Sequence, residues 1–168
     1  ALAAADFALV THEHYDHLGG LAVHPRADEI AAKVRLTPEQ VANSKALLPL
    51  SLSKSVREKV TSLSYNTMIA VAPGVVATKA AGHTAGSQLI YVQKADGTEV
   101  LFLGDVAWKF GNVQQVRERA CFVTLLMNED RRAVLSQLRA LNELHKRNPE
   151  VHQIPSHDKA VVDALIQK

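Results

Sequence analysis

Three imidazoles and a carboxylate fall within six positions, at His12, His14, Asp16 and His17, inside the run Thr-His-Glu-His-Tyr-Asp-His-Leu-Gly-Gly over residues 11–20. In extended backbone the side chains at i and i+2 point the same way, so His12 and His14 can reach one ion together. Asp16 and His17 follow once the chain turns, where they can reach a second ion close by. Imidazole nitrogen with carboxylate oxygen suits zinc, and also iron or manganese. A lone His-x-His would be read as a solvated turn. Here three further segments carry matching ligand types: Gly82-His83-Thr84-Ala85-Gly86-Ser87, Leu103-Gly104-Asp105 and Ile154-Pro155-Ser156-His157-Asp158.

The elements that must position these residues follow from the pattern around them. Phe7-Ala8-Leu9-Val10 is apolar and partly β-branched, which predicts a buried strand over Ala5–Thr11. The first ligands then sit at the C-terminal mouth of a strand, where α/β folds place their sites. Gly19 and Gly20 allow a tight bend behind them, and Asp16–Val23 reads as a loop and a short helix. Met68–Val71, Val75–Ala80, Gln88–Gln93 and Glu99–Leu103 read as an antiparallel meander turned at Pro73-Gly74 and Asp96-Gly97. His83 follows the second of these strands and Asp105 the fourth. Asn128–Arg147 carries a helical stripe of Val134, Leu138 and Leu141, stopped by Asn148-Pro149. A last strand, Val151–Ile154, delivers His157, and Asp158–Gln167 closes the chain as a helix.

Residues 37–66 differ in character. Thr37-Pro38-Glu39-Gln40 has the form of a capping box, and Ser55-Val56-Arg57-Glu58 offers another. Leu47, Leu48, Leu50 and Leu52 around Pro49 make an apolar link between two short helices. This helical insertion is either a lid over the site or a surface excursion packed on the sheet.

In the order His-x-His-x-Asp-His, Gly-His-Thr, an Asp after a strand, then a late His, the chain resembles the metallo-β-lactamase superfamily of metallohydrolases from about Ala5 to the C-terminal region. The resemblance implies an α+β fold, the αββα sandwich of that superfamily, as one domain over residues 1–168. It assigns His12, His14 and His83 to one ion, Asp16, His17 and His157 to a second, and Asp105 to both. Three neutral imidazoles with an open position suit a catalytic zinc. Two ions in one pocket bring a shared water to hydroxide near neutral pH. The expected protein is therefore a di-zinc hydrolase using a bridging hydroxide on an ester-like bond of a small molecule, a lactone or thioester, with Asp105 and Asp16 as catalytic candidates. Within the family, Asp105 after Gly104 is similar to lactonases, glyoxalase II enzymes and related phosphodiesterases. True β-lactamases lack that bridging carboxylate, and no cysteine stands at a ligand position. His14 replaces the Glu of flavodiiron oxidoreductases. The rival readings are a phosphodiesterase or nuclease of the same fold, and a non-catalytic metal-binding fragment that needs a partner chain.

Composition narrows the rest. With 168 residues and 47% hydrophobic content the chain can bury a core. A net charge of +2 with scattered Lys and Arg gives no electrostatic case for nucleic acid. No apolar run approaches a membrane span, and no signal-peptide pattern precedes the first motif, so a cytoplasmic chain is expected. The single cysteine, Cys121, excludes an internal disulfide and reads as a buried packing residue. The superfamily builds several strands before its first motif, and here the motif arrives within a dozen residues. The sandwich is therefore expected to be N-terminally incomplete, with a first sheet consisting essentially of the strand ending at Thr11. An uncovered sheet would need a second copy, a partner chain or missing N-terminal residues to cover it, with the contact at or beside Ala5–Val10. Tyr15 could orient a substrate oxygen or only pack, Trp108 could line the pocket or anchor the core, and His24 could support the ligands or lie on the surface.

Overall fold

The computed structural model describes residues 4–42 and 52–166 of the chain. The chain starts in a first, parallel sheet. Strand β1 (Ala8–Leu9) pairs with β2 (Val34–Leu36), which pairs with β3 (Thr61–Ser62). Helices α1 (Tyr15–Ala22), α2 (Ala27–Ile30), α3 (Pro38–Ala42) and α4 (Lys54–Lys59) lie between these strands in sequence. Leu18, Leu21, Ile30, Val34, Leu36, Leu52 and Val56 form the core of this layer. The second sheet holds β4 (Met68–Ala72), β5 (Val75–Lys79), β6 (Gln88–Gln93), β7 (Glu99–Gly104) and β8 (His152–Pro155), in that spatial order. Its outer layer is α5 (Phe110–Gln115) and α7 (Arg131–Arg147), joined by α6 (Cys121–Leu126); α8 (Lys159–Ile166) follows β8. Val134, Leu138 and Leu141 of α7 pack with Leu101, Leu103 and Val113, as the helical stripe requires.

Several expectations need correcting. The first sheet is not one strand: β2 and β3 join β1 among the described residues. Strands of two and three residues are too short to show a period-2 pattern, which is why they escaped notice. The first strand spans only Ala8–Leu9 and, among the described residues, pairs on one side alone. The four-strand meander is antiparallel as expected, and β8 adds to it parallel to β7, with Phe102 opposite Ile154. That parallel pairing brings the ends of both strands, and so Asp105 and His157, to one edge of the sheet.

The first capping box is present: Gln40 N–H donates to Thr37 Oγ1 at 3.2 Å, and Thr37 N–H donates to Gln40 Oε1 at 3.0 Å. The second is displaced. Ser53, not Ser55, caps α4 by accepting from Val56 N–H at 3.2 Å. The described part of 37–66 supplies α3, α4 and β3, with Leu52 and Val56 in the first core. The Leu47–Leu50 link lies outside the described residues. Cys121 is exposed rather than buried, because α6 turns its apolar side outward; Phe122 and Leu125 are 74% and 78% exposed.

The two layers meet where the first motif leaves β1. Gln88 binds the backbone there twice, N–H to Thr11 O at 2.8 Å and Nε2 to Val10 O at 2.7 Å. Gln40 Nε2 bridges Val10 O and Gly86 O, each at 2.9 Å. Gly104 ends β7 in the left-handed region at φ 54°, and a Cβ there would stand 2.8 Å from the Cβ of Thr11. Only glycine permits this close passage between the strand that delivers Asp105 and the strand that delivers His12.

Candidate metal centre

The seven side chains singled out in the sequence converge at the junction of the layers. His12, His14 and His83 offer three nitrogens within 4.8 Å of one another; so do the ligand atoms of His12, His17 and Asp105, and those of Asp16, His17 and His157. His12 Nε2 and His83 Nε2 stand 3.1 and 3.0 Å from His14 Nδ1. Asp105 is the shared member. Its Oδ1 lies 3.3 Å from both His17 Nε2 and His157 Nε2, and its Oδ2 lies 3.6 Å from His83 Nε2. Asp16 Oδ2 stands 3.5 Å from His17 Nε2 and 3.6 Å from His157 Nε2.

Burial divides the cluster. His12, His14, His83 and Asp105 are buried, whereas Asp16 is exposed and the His157 side chain is 41% exposed. Burial is the main reason that His12 is held far below the ordinary imidazole range, and His17 and His83 beside it push the same way. His14 is lowered too, by burial and then by His83. Both are thus neutral imidazoles, the form that gives a lone pair to a cation. For Asp105, burial favours the neutral acid, but His17, His12 and His83 outweigh it and hold the carboxyl well below its usual range.

These residues fit a divalent metal on two observations of the site itself. His17 Nε2 and Asp105 Oδ1 are buried atoms that face each other yet lack a hydrogen-bond partner. Natural proteins seldom leave such atoms orphaned unless an ion or water serves them. Unprotonated ring nitrogens as close as 3.0 Å also repel unless a proton or a cation lies between them. Nitrogen with carboxylate oxygen is the donor set of zinc and of other first-row ions.

Glu13, Arg119 and Glu129, which the sequence did not single out, hold the cluster in place together with Trp108. Glu13, between the first two histidines, is buried; it accepts from Thr84 Oγ1 at 2.8 Å and from Gly86 N–H at 3.2 Å. It thereby clamps the Gly82–Ser87 loop, and with it His83, against the first motif. Trp108 Nε1 donates to Asp105 Oδ2 at 2.6 Å, so Trp108 touches the site directly. Arg119 donates to the backbone oxygen of Asp105 and to Glu129, and Glu129 stands 2.5 Å from His83 Nδ1. In the sequence Glu129 lies at the N-terminal end of the predicted helix Asn128–Arg147, and Arg119 is one of the scattered basic residues. His24 takes no part; its Nδ1 accepts from Arg26 N–H at 3.0 Å.

A cavity of about 420 Å³ opens onto the exposed side of the cluster, lined by His14, Tyr15, Asp16, Asp105, Trp108, Met127 and His157. None of its walls comes from the described part of residues 37–66. Tyr15 and Trp108 therefore both reach the pocket.

A half-buried imidazole–carboxylate cluster at the junction of two helix-backed sheets is the construction of a metal-binding hydrolase fold. The chain belongs to the β-lactamase superfamily: the family described as "Beta-lactamase superfamily domain" matches residues 1–157. No curated protein matches it in sequence. Among solved structures it is similar to an N-acyl homoserine lactone hydrolase with the product N-hexanoyl-L-homoserine bound at its catalytic metal centre, with TM-score 0.68 and 18% identity over 97% of this chain and 60% of that one. It is also similar to AidC, a dizinc quorum-quenching lactonase, with TM-score 0.63 and 14% identity over 95% and 59% of the two chains. A third is a probable metal-dependent hydrolase from Staphylococcus aureus, with TM-score 0.61 and 16% identity over 92% and 55%. The chain spans about 60% of the length of the first of these structures. The shared fold is the metallo-β-lactamase sandwich. Among the described residues no helix is long and apolar enough to cross a membrane.

Proposed function

We propose that the chain carries the centre of a two-metal hydrolase acting on the ester bond of a small lactone, with thioesters as the next class. The observation that carries this reading is Asp105, a buried carboxylate within 3.6 Å of imidazoles from two ligand groups. His12, His14 and His83 would hold one zinc, Asp16, His17 and His157 the other, and Asp105 would serve both. Bound there, the pair would supply a nucleophilic water at neutral pH and Lewis acidity toward the substrate carbonyl.

The chain's own groups do the rest. Trp108 fixes Asp105 through Oδ2, which leaves Oδ1 to orient the attacking water and take up its proton. Trp108 and Met127 form apolar walls that keep bulk water from the reacting bond, while Tyr15, half exposed, stands at the mouth to meet a substrate oxygen. The reading is supported by the lactone hydrolases to which the fold is similar, one holding a homoserine product at its metal centre.

The test is a panel of a γ-lactone, a thioester and a phosphodiester, assayed on zinc-loaded and chelator-treated protein. The expected result is chelator-sensitive turnover, fastest on the lactone and restored by zinc. Preference for the phosphodiester would favour the nuclease-like reading. Bound zinc with no turnover of any of the three would leave a non-catalytic metal protein.

A further inference from the structure

We infer that Glu129, locked by Arg119, is a positioning residue that fixes the tautomer of His83 and so aims its Nε2 at His12 and His14. The inference rests on the metal-site reading above. Glu129 and His83 have fully buried side chains, and Arg119 is 6% exposed. At His83 Nδ1 two groups compete. Glu129 Oε1 is 2.5 Å away and Arg119 Nη1 is 3.0 Å away. Arg119 Nη1 also donates to that same Glu129 oxygen, and a guanidinium cannot accept. The short contact therefore belongs to Nδ1–H donating to Glu129. With Nδ1 protonated, Nε2 keeps its lone pair, 3.0 Å from His14 Nδ1. A carboxylate behind a histidine is the arrangement that fixes ring orientation and raises ligand basicity in metal sites.

The backbone is shaped to deliver this pair. Val116 and Asn128 take left-handed φ values of 49° and 53° on either side of the segment that contains Arg119, and Asn128 directly precedes Glu129. A β-branched residue in that region is strained, and such strain collects at functional sites. Asp130 N–H donates to Gly82 O at 2.9 Å, which seats Glu129 beside His83. A stabilising role alone does not account for the pair. Glu129 Oε2 is buried without a partner, and a buried ion pair with an unsatisfied oxygen contributes little to folding. Arg119 also joins the two halves of the site, since it bonds Asp105 O and stacks 4.6 Å over the Trp108 ring.

The experiment has two arms on the full chain. Long-range ¹H–¹⁵N spectra of the metal-free protein report the tautomer of each imidazole. His83 is expected as the Nδ1–H form in the native protein, and as a mixture in Glu129→Gln. Competition of zinc against a chromogenic chelator is expected to show affinity about 10–100-fold weaker in Glu129→Gln. Glu118→Gln, which breaks a more exposed pair with Arg131 that includes no residue of the cluster, should leave affinity unchanged. An Nε2–H His83 in the native protein would overturn the inference without any variant. So would Glu129→Gln with native tautomer and native affinity. Native protein that binds no zinc would instead sink the metal-site reading, while the spectra would still judge the role of Glu129.

Discussion

Changing Asp105 to Asn should lower kcat/KM on the preferred ester by about a thousandfold, equivalent to about 4 kcal/mol of transition-state stabilisation. The substitution keeps shape and removes charge. An amide can still accept from Trp108 Nε1, so the contact that orients residue 105 survives. It cannot take a proton from water at Oδ1, and it is a poor shared ligand for His17, His157 and His83 to surround. The metal-free protein should melt within a few degrees of the native one. Burial opposes the Asp105 charge while His17, His12 and His83 favour it, so the effects of losing that charge on folding partly offset each other. Thermal melts after chelator treatment and initial rates with zinc make the check. Undiminished turnover would remove Asp105 from the chemistry.

The second large effect is on folding and comes from a residue with no side chain. A Cβ on Gly86 would meet Gln40 Cγ and Glu13 Oε2 at 2.5 Å, and the Gln40 backbone nitrogen at 2.9 Å. All three partners are committed. Glu13 accepts from Gly86 N–H, and Gln40 closes the α3 capping box and ties Val10 O to Gly86 O. Backbone cannot yield cheaply, so Gly86→Ala should cost about 3 kcal/mol in chemical denaturation and weaken zinc binding as the His83 loop lifts from the first motif. Gly20→Ala is the contrast. Gly20 lies in α1 with nothing near its missing Cβ, so alanine there should stabilise by up to about 1 kcal/mol. Equal stability of the two variants would mean that the Gly86 contact is not tight.

The legible parts of this protein were those with a long or chemically narrow signature. All five strands of the second sheet and the α7 stripe were legible, and four of those strands carry at least five residues, enough for periodicity to speak. The histidine and aspartate spacing named the cluster because few residue types bind metal. What escaped reading depended on contacts between distant segments. Strands β2 and β3 exist because they pair with β1 and with each other, not because two or three residues prefer strand. Glu13 was hidden between two histidines, and its partners lie more than 70 positions away. Glu129 and Arg119 look like surface charges until the fold buries them against His83. Cys121 misled for the opposite reason: its apolar neighbours Phe122 and Leu125 face outward on α6.

The central claim is that these seven side chains hold two ions with Asp105 between them. Diffraction at the zinc absorption edge, from crystals supplied with zinc and no chelator, addresses it most directly. The account predicts two anomalous peaks, one enclosed by His12 Nε2, His14 Nδ1 and His83 Nε2, the other by Asp16, His17 and His157, with the Asp105 carboxylate touching both. A single peak that leaves either group of ligands bare, or zinc found only elsewhere on the surface, would contradict it.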